Sequence, residues 1–362
     1  MSAVAETADR AGSGWQGRLG GVAGEAVRVT LPVLIAFGVG AAVLLIIGEN
    51  PIDIYALMAS EAFGSSRRIA ATLSAATPLL FTAVATAICF RTGVFNVGVD
   101  GAFVVGGLAA ATIGFALPAG LGFWLIAIAM LAAAAVSAFW LFVPGYLLAR
   151  LDIDEVVTTL MLNFIALGLT GFLVNTVLLS EASGNNTTDT IHEAAELVRL
   201  MPPSTLHAGF IIGLVCVAAY GVWTRLTPAG FESRLVGLNR RFARTVGISI
   251  PATIITVMVI SGIVSGLGGA SHALGQVHRF SDGFSAGYGF TGMAVALLAR
   301  NSAIGIAFGA VLFGALASAG TTVQLFSDIP LDIVNVIEGT VMIFAVVELG
   351  RLTWRRRRRS LP

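Results

Sequence analysis

Phe95-Asn96-Val97-Gly98-Val99-Asp100-Gly101 sets an amide, a carboxylate and two glycines between long apolar runs. The flanking runs, Ala70–Phe90 and Phe123–Leu148, are each long enough to cross a bilayer, which takes about 20 mostly apolar residues. An ionised Asp at the centre of a lipid-exposed helix costs about 2.5–3.5 kcal/mol on insertion scales. Polar, glycine-broken backbone at membrane depth is tolerated only where protein buries it or a cavity receives it. The segment therefore faces inward, towards a path through the protein.

Span-length runs recur outward from this break. They are Val29–Gly48, Val156–Ser180, Ala208–Trp223, Ile250–Leu267, Ala303–Ala319 and Ile333–Val347, with shorter broken pieces at Val94–Gly114 and Gly287–Ala299. Charged residues make up 11% of the chain, against about 25% in a soluble domain, so these runs belong in a membrane. The expectation is an all-α, polytopic transmembrane bundle of about ten spans. It divides into an N-terminal tail (1–28), a membrane domain (29–350) and an Arg-rich tail (351–362). The N-terminal tail lacks the charged, apolar and small-residue order of a cleavable signal peptide.

All 21 basic residues are arginine. With ten spans and the N-terminus inside, 17 arginines fall on the cytoplasmic side. Only Arg67, Arg68, Arg199 and Arg279 fall outside, as the positive-inside rule requires. Both termini are then cytoplasmic, and Arg355–Arg359 reads as a topology anchor rather than a nucleic-acid patch. The outside loop 181–207 is acidic, with a short helix expected over His192–Leu200, and it either meets an extracytoplasmic partner or caps the bundle. In the inside loop 224–249, Leu235, Leu238, Phe242 and Val246 share one helical face, opposite Arg234, Arg240, Arg241 and Arg244. This is the pattern of an amphipathic basic helix lying along anionic membrane lipid or docking a partner.

Without lysine there is no phosphate-binding Walker A loop and no lysine Schiff base. His192, His207, His272 and His278 lack metal-ligand spacing and fall in expected outside loops. Cys89 and Cys216 lie inside apolar runs and read as buried small hydrophobes. No catalytic or metal site is expected, and an ATP requirement would fall to another chain. The intramembrane polar residues are Asn96, Asp100, Asn163, Asn335 and Glu338, the last two on one helical face. Asn163 reads as a helix-bridging hydrogen-bond residue. Asp100 and Glu338 read equally as pathway groups or as structural braces. A second glycine-rich start, Gly287-Tyr288-Gly289-Phe290-Thr291-Gly292-Met293, adds Tyr288 and Thr291. Paired glycine-interrupted segments in the two halves of a transporter point to its pathway, or else permit close helix packing.

Phe90 to Gly101 resembles the "FR-x-G-x-FNIG-x-EG" segment of bacterial ABC-importer permeases for nucleosides and simple sugars. Glu155 to Asn163 resembles the "EV-x-x-TLMLN" segment of the nucleoside branch. Gly230 to Asn239, continuing through Ala243 to Ile248, is similar to that family's ATPase-contacting loop. Gly287 to Leu298 matches "GYGF-x-GIAVALL". The four motifs occur in order between about Val29 and Leu349. Asp100 stands where glutamate is commoner, and Ala102 where glutamine is frequent.

The resemblance implies a multi-pass permease of the bacterial plasma membrane; the expected substrate-pathway residues are Phe95, Asn96, Asp100, Asn163, Tyr288 and Thr291 from the matched motifs, with Asn335 and Glu338 added for their polarity within the membrane. It implies ATPase coupling through Gly230, Arg234, Gly237, Asn239, Arg241, Ala243 and Gly247. The implied partners are an ABC ATPase subunit carrying the ATP, a second permease subunit and an extracytoplasmic substrate-binding lipoprotein. No cofactor is expected in this chain. A pentose or other simple sugar is the alternative cargo. A proton-coupled secondary transporter using Asp100 and Glu338 is the alternative mechanism.

Overall fold

The computed structural model describes residues 34–180 and 185–326, with positions 336, 339, 340 and 343 beyond them. The tails 1–28 and 351–362, Glu181, and the candidate residues Asn335 and Glu338 lie outside the described residues. The chain forms two units, residues 1–51 with 332–362, and residues 52–331. The first contains α1, described over Leu34–Ile47.

The second unit carries the motifs and is helical throughout, with only isolated β-bridges among the described residues. In order it comprises α2 (Pro51–Phe63), α3 (Ser66–Arg91), α4 (Val99–Ala116), α5 (Phe123–Leu151), α6 (Glu155–Thr176) and α7 (Gly209–Leu226). There follow α8 (Pro228–Leu238), α9 (Arg240–Thr245), α10 (Ile250–His272), α11 (Tyr288–Leu298) and α12 (Ala303–Phe326). Seven of these are long and apolar enough to cross a membrane: α3 to α7, α10 with its extension to Val277, and α12. α1 and α11 are shorter apolar helices.

α3 and α4 form the interior, burying most of their residues, while α5, α6 and α7 leave long apolar faces exposed. α10 packs between α4 and α5, and α3 packs against α10, α11 and α12. Small residues permit the closest crossings: a side chain on Gly269 would strike the backbone oxygen of Phe103. Buried threonines do not disrupt α3, because Thr77, Thr82 and Thr86 return their hydroxyls to carbonyls one turn back.

Three local expectations are corrected. His192–Leu200 holds a single 3₁₀ turn, Glu193–Ala195, and the segment instead docks by backbone bonds such as Leu197 N to Leu274 O (2.9 Å). The coupling loop is two helices, because Asn239 is extended (φ −158°, ψ 100°), ends α8, and caps α9 by accepting from Phe242 N at 3.0 Å. His272 is not in an outside loop. α10 continues through the weakly apolar Gly268–Ser271 run, and a π-turn follows at Ala273–Val277.

Candidate functional site

The Schellman-like end of α3 opens the break. Gly93 turns at φ 74°, with Gly93 N bonded to Phe90 O and Val94 N to Cys89 O. From there to α4 the backbone runs without helical partners, and neighbouring side chains supply them. Val97 N donates to Thr159 Oγ1 (3.2 Å), and Val97 O accepts from Asn163 Nδ2 (3.0 Å). Gly98 N donates to Asn96 Oδ1, and Gly101 N to Asn163 Oδ1, both at 2.9 Å. Asn96 Nδ2 reaches Ser261 Oγ at 3.1 Å. Ser265 Oγ donates to Val99 O (2.6 Å) and Ser137 Oγ to Ala102 O (2.7 Å). Buried backbone groups left unmatched would each cost about 1–3 kcal/mol, so this lattice makes the break possible.

Asp100 lies in the first turn of α4 and is buried. Its Oδ1 accepts from Gly289 N and from Ser285 Oγ, each at 2.8 Å. The carboxylate thus sits at the starts of two helices, α4 and α11, where the helix dipole favours negative charge. A Cβ on Gly289 would lie 2.5 Å from Asp100 Cα, so glycine is what lets the two starts touch. The two glycine-broken segments, 185 or more residues apart in sequence, meet here.

An aromatic group adjoins this junction. Tyr288 lies 5.6 Å from Phe103 and 5.2 Å from His272 by ring centroids, and Phe284 lies 5.0 Å from His272. Among the anticipated pathway residues, the structure therefore unites Asp100 and Tyr288. Asn96 and Asn163 hold the break's backbone. Thr291 lies one turn into α11 with its amide bonded to Gly287 O. Phe95 stands apart, 41% exposed and stacked on Phe90 at 5.0 Å. Ser285, Phe103, His272 and Ser261 are not singled out by the sequence, since each lies in an ordinary-looking apolar or loop stretch, and Thr159 lies within the Glu155–Asn163 motif without being marked as a site residue.

The coupling segment reaches the break directly. A side chain on Gly237 would strike Arg91 O, so α8 rides on the end of α3. Gly230 is similarly pressed against Trp223 O. Val236 and Ala243 pack with Cys89, Val94, Ile250 and Met258 in one buried cluster. Arg234, Asn239 and Arg241 are exposed, and Gly247 turns at φ 86°. Of the apolar face anticipated for this loop, Leu235 packs against that cluster, while Leu238, Phe242 and Val246 are more than half exposed.

Residues 68–346 match the family described as "Branched-chain amino acid transport system / permease component". The chain is 32% identical over 320 residues to a guanosine ABC transporter permease protein of Bacillus subtilis, covering 87% of this chain and 91% of that protein. It is 34% identical over 333 residues to a nucleoside ABC transporter permease protein of Lactococcus lactis subsp. cremoris, covering 89% and 91%. It is 30% identical over 328 residues to a glucose ABC transporter permease protein of Haloferax volcanii, covering 87% and 86%. No solved structure matches at a significant level. With its apolar helices and four ordered motifs, the chain is a multi-pass membrane protein that belongs to the permease-component family of branched-chain amino acid transport systems.

Proposed function

We propose that the chain is the permease subunit of an ATP-driven importer for nucleosides. It would cross the bacterial plasma membrane about ten times with both termini in the cytoplasm. ATP would be hydrolysed on a separate ABC ATPase subunit, a second permease subunit would complete the path, and an extracytoplasmic binding lipoprotein would deliver the cargo. The carrying observation is the physical continuity from α8 to the break. Gly237 presses on Arg91, and the Asp100–Gly289 junction stands at the other end of the same short segment. Closure of the ATPase pair against the exposed Leu238, Phe242 and Val246 would be passed through the end of α3 to the starts of α4 and α11. Nucleoside cargo is supported by the names of two of the relatives. The glucose permease relative is the observation that favours the sugar reading.

The test is uptake by proteoliposomes holding this chain, its permease partner, the ATPase and the binding protein. ATP-dependent guanosine or uridine uptake, unaffected by excess glucose or ribose, is expected. Sugar uptake under the same conditions would replace the cargo. Uptake driven by a proton gradient in liposomes containing this chain alone would replace the mechanism. In the full assembly, Arg234→Glu with Arg241→Glu is expected to leave ATP hydrolysis running while uptake drops at least tenfold.

A further inference from the structure

A cleft of about 550 Å³ opens beside α8, lined by Arg91, Arg225, Arg234, Arg300, Asn301 and Ser302 among others. No carboxylate lines it, and among the described residues none of these four arginines has an ion-pair partner. Arg91 gives one bond to Thr224 O (3.0 Å), yet its Nε is buried without a partner, as is Oδ1 of Asn301. Arg300 and Asn301 both hold positive φ, 50° and 56°, and Tyr220 Oη fixes that turn by donating to Asn301 O at 2.7 Å. Non-glycine residues rarely adopt this conformation, and consecutive ones mark a turn that its surroundings impose. Ala303, the first residue of α12, is also on the lining, so a positive helix end adds to the four guanidiniums. Like charges gathered in one recess call for an anion of more than one contact point, and guanidinium suits phosphate oxygens.

The surroundings favour a particular bearer of that phosphate. Trp223, partly exposed and 6.2 Å by ring centroid from the buried Tyr220, stands two residues before Arg225, as interfacial tryptophans stand at a membrane–water boundary. Exposed Val222, Ile304 and Phe308 continue from the cleft along α7 and α12, which touch where Gly221 meets Ala303. This strip offers a bed for acyl chains directly beside the arginines. Basic pockets between helices on the cytoplasmic side hold anionic headgroups. We propose that the Arg91–Arg225–Arg234–Arg300 cleft binds a phosphate-bearing anion, supplied in the membrane as the headgroup of an anionic phospholipid. The site uses the cytoplasmic placement of α8 but is independent of the cargo.

The experiment uses the purified full-length chain in detergent, titrated separately with dioctanoyl phosphatidylglycerol, dioctanoyl phosphatidylcholine and inorganic phosphate. Phosphatidylglycerol is expected to bind at least tenfold more tightly than phosphatidylcholine. Arg225→Gln and Arg300→Gln are each expected to weaken it about tenfold while leaving phosphatidylcholine unchanged. Arg225 is exposed at the end of α7, so its variant carries the test even where Arg300→Gln disturbs the turn. Equal affinity for the two lipids, or unchanged phosphatidylglycerol binding by Arg225→Gln, would overturn the proposal. Inorganic phosphate binding as tightly as phosphatidylglycerol would assign the cleft to a free phosphate compound and overturn the lipid reading. Because the readout is lipid affinity, failure here is distinct from failure of the nucleoside assignment.

Discussion

The middle of α10 and its finish, the inner and outer ends of its polar face under the proposed topology, treat polar groups in opposite ways. At mid-helix, Ser261 and Ser265 are buried and bonded to Asn96 and Val99, and the same lattice extends through Thr159, Asn163 and Ser137. At the finish, Ser271 Oγ, His272 Nδ1, Gln276 Oε1 and, across from them, His207 Nε2 are buried without hydrogen-bond partners. The inner end is cross-linked to the break, and the outer end is held by edge-on aromatic contacts and a π-turn. A lattice of paired groups resists bending and passes on displacement. An end whose polar atoms are unsatisfied gains free energy by opening to water. In the proposed importer, the cross-linked inner end would act as the rigid lever and the outer end as the yielding part.

The contrast is most severely tested at the junction between the two glycine-rich starts. Gly289→Val would force branched carbons into the Asp100 backbone, 2.5 Å from the position of the first added atom. The expected result is uptake below a tenth of wild type and a loss of about 3 kcal/mol, the upper range for overpacking. Thermal unfolding in detergent, alongside uptake, measures both. Wild-type stability in that variant would mean that the starts of α4 and α11 do not touch.

Asn163→Ala comes next. It would orphan Gly101 N and Val97 O together, each buried, for a loss of about 2–3 kcal/mol. The same readout applies, and a loss below about 0.5 kcal/mol would remove the claim that the inner end is braced by these bonds.

The outer end is expected to respond to acid. Burial, with a smaller contribution from His278, pushes His207 down to about 4 from 6.5. A depressed imidazole is neutral in the fold and gains a proton more readily when unfolded. Stability is therefore full above about pH 7 and falls as pH drops through 6.5 towards 4, by about 2 kcal/mol at pH 5. His278 Nδ1 and Glu196 Oε1, 3.8 Å apart, face the same region. His207 Nδ1 accepts from Gly209 N (3.1 Å), a bond that the shorter Asn carbonyl can replace at the same two-residue spacing. His207→Asn should accordingly flatten the decline in unfolding temperature between pH 7 and pH 5. An unchanged decline would place the acid response elsewhere.

How much of this was legible in the sequence depends on how local its cause is. The seven span-length helices were readable because an apolar run needs only its own residues. The break was readable because Asn96 and Asp100 contradict their apolar flanks. Asn163, expected both as a bridging residue and on the pathway, bonds Gly101 N and Val97 O in the break. The donors and acceptors that make the break possible were not readable, since Ser137, Ser261 and Ser265 are separated from it by 35 to 166 residues and are unremarkable within helices. The extent of α10 was missed because Gly268–Ser271 scores as weakly apolar. Those small residues are buried by fitting against Phe81 and Phe103, a fact of packing rather than of composition. The break in the coupling segment at Asn239 was hidden by a helical periodicity that continues across it.

The smallest expected effect is also the sharpest discriminator between the two ends. His272→Phe keeps a ring among Phe103, Phe284 and Tyr288 while deleting an unpartnered buried nitrogen. Removing an unmatched polar atom without removing shape is neutral or favourable, so stability should be unchanged or rise by up to about 1 kcal/mol. Uptake should nonetheless fall several-fold, because the variant stabilises the packed state relative to the opened one. Apolar replacement at the inner end does the reverse, since it leaves backbone groups orphaned. Thermal unfolding and uptake measured on the same preparation separate these outcomes. A loss of 2 kcal/mol or more from His272→Phe would show that the nitrogen is bonded in the membrane-embedded protein, and the outer end would then be as rigid as the inner one.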